Sequence, residues 1–350
     1  MLKESKQLEN KNYLLFLDDT QICRDTKVLF KGKIKIIVHT NLNTVIKRFL
    51  QKNNQFALNV GLSHYKNVPE SEILRSGDKI KWGQGTYGFK EGHNLYINYF
   101  ILRQNNANFF SYKNLNISEN QKKNLFNKLE INENKKIALI HIKTSEDNAC
   151  AKRTNPNTYL KAMNYLIRNN YQLIFYGREK IPEIFKSLPI INYANSNYTS
   201  WMNDVVLVEK SSLFICFASG IGALAGVLDK PLLYIGYWTP NIVHSNKKSI
   251  FIPTLLKKKN DQKFLTFKKH LDYLYECENQ NFASEDYDPI NPDEEDILNS
   301  VKELILLSTN NLNFNEDQIK FNKIFGNDIP LYYCQSHVSS SFLKKYNYLL

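Results

Sequence analysis

The chain has 350 residues, of which 43% are hydrophobic and 13% aromatic, and 46 Lys and Arg outnumber 34 Asp and Glu for a net charge of +12. That length predicts two domains, possibly a third short unit, and that apolar content excludes global disorder. With 13 Gly and 10 Pro, collagen-like and Pro-rich architectures are excluded as well.

In chain order, residues 33–39 alternate and are rich in Ile and Val, which predicts a strand. A helix is expected over 41–50 and a strand over 55–61. Five glycines (Gly77, Gly83, Gly85, Gly88, Gly92) make 62–92 irregular. An apolar stretch follows at 94–102, then an amphipathic helix over 118–129 with Ser118 as its cap. From 135 onward the pattern sharpens. Strands are predicted at 136–142, 171–176, 190–193, 212–217 and 231–236. Helices are predicted at 156–169 (Pro156 in its first turn), 200–209 (capped by Thr199 or Ser200) and 220–228. Strands alternating with helices predict βαβ units and a parallel sheet. Residues 257–292 read as irregular. Asp293, Glu294 and Glu295 open a long helix to 307, where acids suit the helix dipole. Residues 309–350 read as a polar, aromatic tail, and the domain boundary falls near 132.

The longest apolar runs, 212–217 and 231–237, are far below the ~20 residues that span a bilayer. Residues 1–12 are charged, with no apolar signal core behind them. Cys23, Cys150, Cys216, Cys277 and Cys334 are odd in number and scattered, which suits reduced thiols in a cytoplasmic protein and no zinc site. The basic residues are spread out, with one tight run at 257–259 and no nucleic-acid-binding motif. The charge therefore points away from nucleic acid and toward a phosphorylated substrate or an anionic membrane face.

Ligands of open parallel sheets sit beyond the C-terminal strand ends, so three loops matter. Ser219-Gly220-Ile221-Gly222 leads from a strand into a helix N-terminus, whose free N–H groups and partial positive charge suit a diphosphate. No Gly-Lys-Ser/Thr completes a Walker loop there; the plain alternative is a cap and tight strand–helix packing. The second loop leaves the strand at His141, carrying Lys143 and Arg153 as phosphate partners and Glu146 or Asp147 as a general base. His141, alternating with apolar neighbours, reads as a core histidine. The third is Tyr176-Gly177-Arg178, where Gly177 implies a tight turn or a close ligand. Asp286-Tyr287-Asp288 lacks the preceding apolar strand of a metal–nucleotide DxD and reads as a loop, leaving no metal site.

Several segments resemble, in order and spacing, a family of bacterial glycosyltransferases encoded in surface-polysaccharide gene clusters and related to the GT-B architecture. They are His141-Ile142-Lys143, Arg153 with Tyr159, Tyr193-Ala194-Asn195-Ser196, Trp201-Met202-Asn203-Asp204 and Ala218-Ser219-Gly220. Phe251-Ile252-Pro253, Leu265-Thr266-Phe267, the helix at 294–303, Ser340-Ser341-Phe342-Leu343 and Leu349-Leu350 continue the series. The match covers 136–308 and the extreme C-terminus. The family's strand-end Arg-Asp is Lys143-Thr144 here, and its Arg-Met-Gly-Asp turn is Phe175-Tyr176-Gly177-Arg178.

The resemblance implies an α/β protein of two Rossmann-like lobes with parallel sheets. An abbreviated N-terminal acceptor lobe (1–132) would face a nucleotide-sugar-binding lobe (133–308), with a tail (309–350) packing back. It implies a nucleotide-sugar as co-substrate, no further cofactor, no metal, and a surface-glycan or lipid-linked acceptor. Ser219, Gly220 and Gly222 would hold the diphosphate with Lys143 and Arg153, while Tyr176 and Gly177 line the nucleotide pocket. Glu146 or Asp147 would be the base, with Asp78 or Glu91 competing. A cytoplasmic enzyme, peripheral at the inner membrane face, is expected. The alternative is a non-catalytic nucleotide- or glycan-binding protein of the same fold.

Overall fold

The computed structural model describes residues 14–17, 35–38, 117–144, 154–217, 219–236, 246–276, 286–309, 312–327 and 329–350. The expected elements at 41–50, 55–61 and 94–102, the Gly-rich segment with Asp78 and Glu91, and Glu146, Asp147 and Arg153 lie outside the described residues. Near the N-terminus, β1 (Leu14–Leu17) and β2 (Lys35–Val38) pair in parallel.

Seven strands build the central sheet: β3 (Lys136–His141), β4 (Tyr171–Phe175), β5 (Ile190–Asn192), β6 (Leu213–Phe217), β7 (Leu232–Ile235), β8 (Ser249–Ile252) and β11 (His337–Val338). Their order is β5-β4-β3-β6-β7-β8-β11, every pairing parallel. The chain starts in the middle at β3, builds outward to β5, then returns to β6 and builds the other way. The β3–β6 boundary is thus the switch point of a doubly wound sheet. β6, Leu-Phe-Ile-Cys-Phe, is buried at all five positions, as a strand covered on both faces must be.

The helices start where local chemistry dictates. α1 (Glu119–Lys128) is opened by a reciprocal Ser118–Gln121 capping box. Asn155 caps a 3₁₀ turn at Pro156–Tyr159 that runs into α2 (Leu160–Arg168). Ser200, rather than Thr199, caps α3 (Trp201–Lys210) by accepting from the Asn203 N–H at 3.1 Å. α4 (Gly220–Val227) lies between β6 and β7 in sequence and packs on both, beside α3. α6 (Glu294–Ser308) packs on α2 and on β6, β7 and β8. Its Asp293–Asp296 capping box is braced by Lys345 Nζ at 2.6 and 3.0 Å.

The region expected to be irregular contains β9 (Leu255–Lys258), α5 (Phe267–Glu276) and β10 (Tyr287–Ile290). β9 and β10 pair antiparallel, and the Tyr287 ring lies 4.8 Å from that of Tyr273. Asp286-Tyr287-Asp288 is therefore not the loop that was expected: it enters an edge strand, where Leu255 and Leu256 stand opposite Ile290 and Pro289. Asp288 lies 3.8 Å from Lys259.

The C-terminal segment holds α7 (Glu316–Lys323), β11 and α8 (Ser340–Lys345). Phe321 of α7 meets Phe267 at 4.8 Å, Phe325 at 5.4 Å and Phe251 of β8 at 6.0 Å. Burying one such ring contributes about 1.5–3 kcal/mol. The polar counterpart is Glu303 of α6, buried among donors. Its carboxylate accepts from Ser339 Oγ (2.9 Å), the Ser340 N–H (2.9 Å) and Gln318 Nε2 (2.8 Å). Burial raises its pKa, and the hydrogen bonds oppose the rise. Removing the carboxylate leaves several buried donors unmet, each worth about 1–3 kcal/mol. Glu303→Ala is expected to lower unfolding free energy by at least about 3 kcal/mol in urea titrations. It should also open residues 337–350 to proteolysis. A wild-type midpoint in this variant would remove Glu303 as the anchor.

Candidate functional site

At the switch point the ends of β3 and β6 lie side by side, with His141 opposite Cys216. Beyond β6 the chain turns through Ser219 into α4; beyond β4 it turns through Tyr176 and Gly177. The site is the junction of these ends.

His141 is 3% exposed. Its Nδ1 lies 3.2 Å from the Tyr176 carbonyl oxygen, which only accepts, so Nδ1 carries the proton and Nε2 the lone pair. Nε2 has no hydrogen-bond partner among the described residues. Burial, and to a lesser degree the nearby Lys143 charge, lowers the pKa to about 4, against the hydrogen bond to Tyr176. The ring is neutral at physiological pH, a core histidine with one unmet acceptor.

Gly177 makes this possible. Its φ is +116°, and a Cβ there would lie 2.5 Å from His141 Nδ1 and 3.5 Å from Ile221 Cδ1. The turn after β4 thus rests on the imidazole and reaches the start of α4. The Tyr176 side chain goes the other way. It is 1% exposed, stacks on Tyr193 at 5.8 Å and donates its hydroxyl to the Asp204 carbonyl at 3.3 Å. The expectation that Tyr176 lines a nucleotide pocket therefore does not hold for its ring, because an aromatic side chain alternating inward from β4 is taken into the core.

Arg178 does not project freely into the cleft. It binds Asp204 of α3 through two hydrogen bonds, 2.6 and 3.2 Å, and Tyr193 donates to the same carboxylate at 2.7 Å. Burial raises the Asp204 pKa, while Arg178 and Tyr193 counter it. Sequence reasoning matched Asp204 to the family but missed this pairing, since 26 residues separate the partners. The only signal was an acid inside an otherwise apolar helix turn, Asp204-Val205-Val206-Leu207-Val208.

Ser219 is the N-cap residue of α4, extended at φ −157° and ψ 162°, yet its hydroxyl accepts no N–H of the first turn. It lies 3.6 Å from Cys216 Sγ, and its carbonyl accepts the Gly222 N–H at 3.1 Å. The side-chain capping role considered for this serine is thus unfilled, while its carbonyl meets the Gly222 N–H. Gly220 is the first residue of the helix. Gly222 serves packing: a Cβ there would meet Cys216 Sγ and Tyr234 Cε2, each at 3.1 Å. For this glycine the plain alternative, close strand–helix packing, accounts for the residue. Cys216 is no nucleophile, because burial pushes its thiol up to about 12.

Lys143 follows β3 and is half-buried. Its carbonyl accepts the Thr154 N–H at 2.8 Å and the Thr154 hydroxyl at 3.0 Å, which closes the loop between them. No carboxylate pairs with the Lys143 ammonium among the described residues, and its charge bears on both His141 and Cys216. Lys143, Ser219, the N-terminus of α4, Gly177 and His141 are therefore brought together. Among the described residues no group of three or more His, Cys, Asp and Glu is arranged to hold a metal, and no helix is long and apolar enough to cross a membrane.

No family model matches the chain, and no curated protein matches its sequence. Among solved structures it is similar to a glycosyl transferase of family 9 from Veillonella parvula (12% identity, 85% of this chain and 97% of that one, TM-score 0.44). It is also similar to the ADP-heptose LPS heptosyltransferase II of E. coli (13%, 69% and 90%, TM-score 0.37). A third is KpsC, a β-Kdo 2,7 transferase of Thermosulfurimonas dismutans (12%, 76% and 99%, TM-score 0.26).

The buried histidine sets a pH dependence. Its folded pKa of about 4 lies below the unfolded value near 6.5, so the unfolded chain binds the extra proton between those limits. The contribution of neutral His141 is complete above pH 6.5 and is lost as pH falls toward 4. Raised carboxyls such as Asp204 and Glu303 act with the opposite sign. Comparison with His141→Asn, which does not titrate, isolates the histidine. Between pH 6.5 and 4.5 the wild type should lose stability faster by about 1 kcal/mol per pH unit in urea titrations. Equal slopes would mean that the imidazole protonates without unfolding.

Proposed function

We propose that the chain is a glycosyltransferase that moves a sugar from a nucleotide-sugar to a surface-glycan or lipid-linked acceptor without a bound metal. The observation that carries this is a positive charge at the switch point with no carboxylate partner among the described residues. It belongs to Lys143, and the helix beside it starts at a serine whose hydroxyl accepts no first-turn N–H. An oxygen-rich anion supplies both needs: an acceptor for the N–H groups and a counter-charge for the ammonium. The diphosphate of a nucleotide-sugar is such an anion, and the sequence resemblance names the same loop.

The chemistry follows from where charge develops. As the glycosidic bond to the diphosphate breaks, negative charge grows on the leaving phosphate oxygen. Donors fixed by β3 and α4 before the reaction stabilise that charge with little reorganisation. The Ser219 hydroxyl and the Lys143 ammonium are the side chains assigned to this, with Gly220 admitting close backbone approach. Gly177 shapes the floor by pressing the turn onto His141. Arg153 is assigned to the same phosphates, and Glu146 or Asp147 to deprotonating the acceptor hydroxyl, with Asp78 and Glu91 as the competing bases.

Nucleotide binding is the first test. In thermal melts with UDP, GDP, ADP and CMP, one nucleotide should raise the melting temperature of the wild type. A ligand at 100 times its dissociation constant adds about 2.7 kcal/mol to the folded state. Lys143→Glu should abolish the shift while its own unliganded melt stays within a few degrees of wild type. A shift that survives Lys143→Glu would place the nucleotide elsewhere, and no shift with any nucleotide would overturn the donor assignment.

The net charge of +12 also suits contact with an anionic membrane face. Co-sedimentation with phosphatidylglycerol vesicles at low salt is expected and should weaken as salt rises. Protein left wholly in the supernatant at low salt would exclude a peripheral location.

A further inference from the structure

The opposite end of the sheet carries a second concavity of about 560 Å³, within the range of small-ligand sites. Lys247 and Lys248 line it from the turn that enters β8, and His337, the first residue of β11, lines it from the neighbouring strand. It therefore lies at the N-terminal ends of these strands, while Lys143 and Ser219 lie at the C-terminal ends of β3 and β6.

Three features define what it accepts. The first is charge. Lys247, Lys248 and Lys323 line the cavity, and no Asp or Glu among the described residues does. Neither Lys247 nor Lys248 forms an ion pair among the described residues. Lys323 is fixed, with Nζ 3.6 Å from the Tyr332 ring centroid and donating to the Tyr332 carbonyl at 2.7 Å. The second is an aromatic lining: Phe314 sits 4.2 Å from the His337 ring, and Tyr332 forms another part of the wall. The third is amide chemistry. Asn322, 1% exposed, donates its Nδ2 to the carbonyls of Ser336 (3.0 Å) and Cys334 (3.3 Å). Its Oδ1 has no hydrogen-bond partner among the described residues. That oxygen is itself buried, so the amides open to the cavity are those of Asn313 and Gln335.

We propose that this cavity is a binding site for an anionic saccharide, in which the lysines pair with an acidic group, the amides meet hydroxyls and the ring faces carry the C–H side of the sugar. Simple anions leave the aromatic wall unused. Phe314 and His337, 4.2 Å apart and inclined at 55°, leave no slot between them for a nucleobase. A bilayer seats on protruding side chains, and here the lysines and rings line a hollow. The site is separate from the donor assignment. Under that assignment it would grip an acidic glycan away from its reacting end.

Calorimetric titration of the full chain tests it with cellobiouronic acid, cellobiose, inorganic phosphate, UMP and vesicles of equal parts phosphatidylglycerol and phosphatidylcholine. The acidic disaccharide should bind, with neutral cellobiose and phosphate each at least about tenfold weaker. The charge-reversed Lys247→Glu/Lys248→Glu protein should bind the acidic disaccharide about tenfold more weakly at an unchanged melting temperature. Raising salt should weaken wild-type binding, a readout that needs no variant. Equal binding of cellobiose, tighter binding of phosphate or UMP, binding of vesicles alone, no binding of the acidic disaccharide, or indifference to charge reversal and salt would each overturn the proposal. The Lys143→Glu nucleotide melt is a separate measurement, so failure of one assignment is distinguishable from failure of the other.

Discussion

The turn after β4 passes over the His141 imidazole so closely that position 177 admits no side chain. A Cβ would stand 2.5 Å from Nδ1, and the backbone there adopts a positive φ that only glycine takes without strain. Much of the switch point follows from this contact. It brings the Tyr176 carbonyl onto Nδ1, which fixes the tautomer, and it brings the turn against Ile221 at the start of α4. It also seals the imidazole from water, which keeps it uncharged beside Lys143. A charged imidazole would compete with Lys143 for the same anion; a neutral one leaves a single ammonium and a helix terminus to set the field.

The second constraint holds that turn from outside. Arg178 reaches across to Asp204 in the geometry a guanidinium and a carboxylate share best, and Tyr193 completes the carboxylate's partners. A buried acid without such partners would be destabilising, whereas here it ties the β4 turn to α3. Placing a charge pair rather than an apolar contact at this joint restricts the turn to one orientation. The positions of Gly177 and the Tyr176 carbonyl are thereby determined from both sides.

How far the sequence disclosed this differs by region, for physical reasons. The parallel sheet from β3 to β7 was legible because continuous apolar runs such as 213–217, bounded by Ser200 and Pro156 helix starts, have few other solutions. The places of Ser219 at the β6-to-α4 turn and of Lys143 after β3 were legible because the strand and helix patterns flanking them are strong. Three things were hidden. β11 is only two residues, His337-Val338, set among serines, and it becomes a strand because Gln318 and Glu303 hold its neighbours rather than because of any period of its own. β10 contains Asp288 and Pro289 and reads as a turn until β9 lies beside it. The Arg178–Asp204 pair joins segments whose proximity exists only once β4 and α3 are packed. For Gly222 the sequence offered two meanings, and only the Cys216 and Tyr234 contacts decide between them.

A net charge of +12 says little by itself, because many of the lysines behind it stand in exposed ion pairs or over aromatic rings. Lys122, Lys161, Lys186, Lys320 and Lys345 each lie within 4 Å of a carboxylate, and Lys136, Lys257 and Lys302 lie over aromatic rings. Such pairs at an exposed surface contribute at most about 1 kcal/mol and are screened by salt. Lys143 at one end of the sheet and Lys247 with Lys248 at the other are among the lysines that have no carboxylate partner among the described residues. Concave, partly dry surroundings strengthen a field that open solvent would screen. The location of charge within the fold, rather than its total, is therefore what the two proposals rest on.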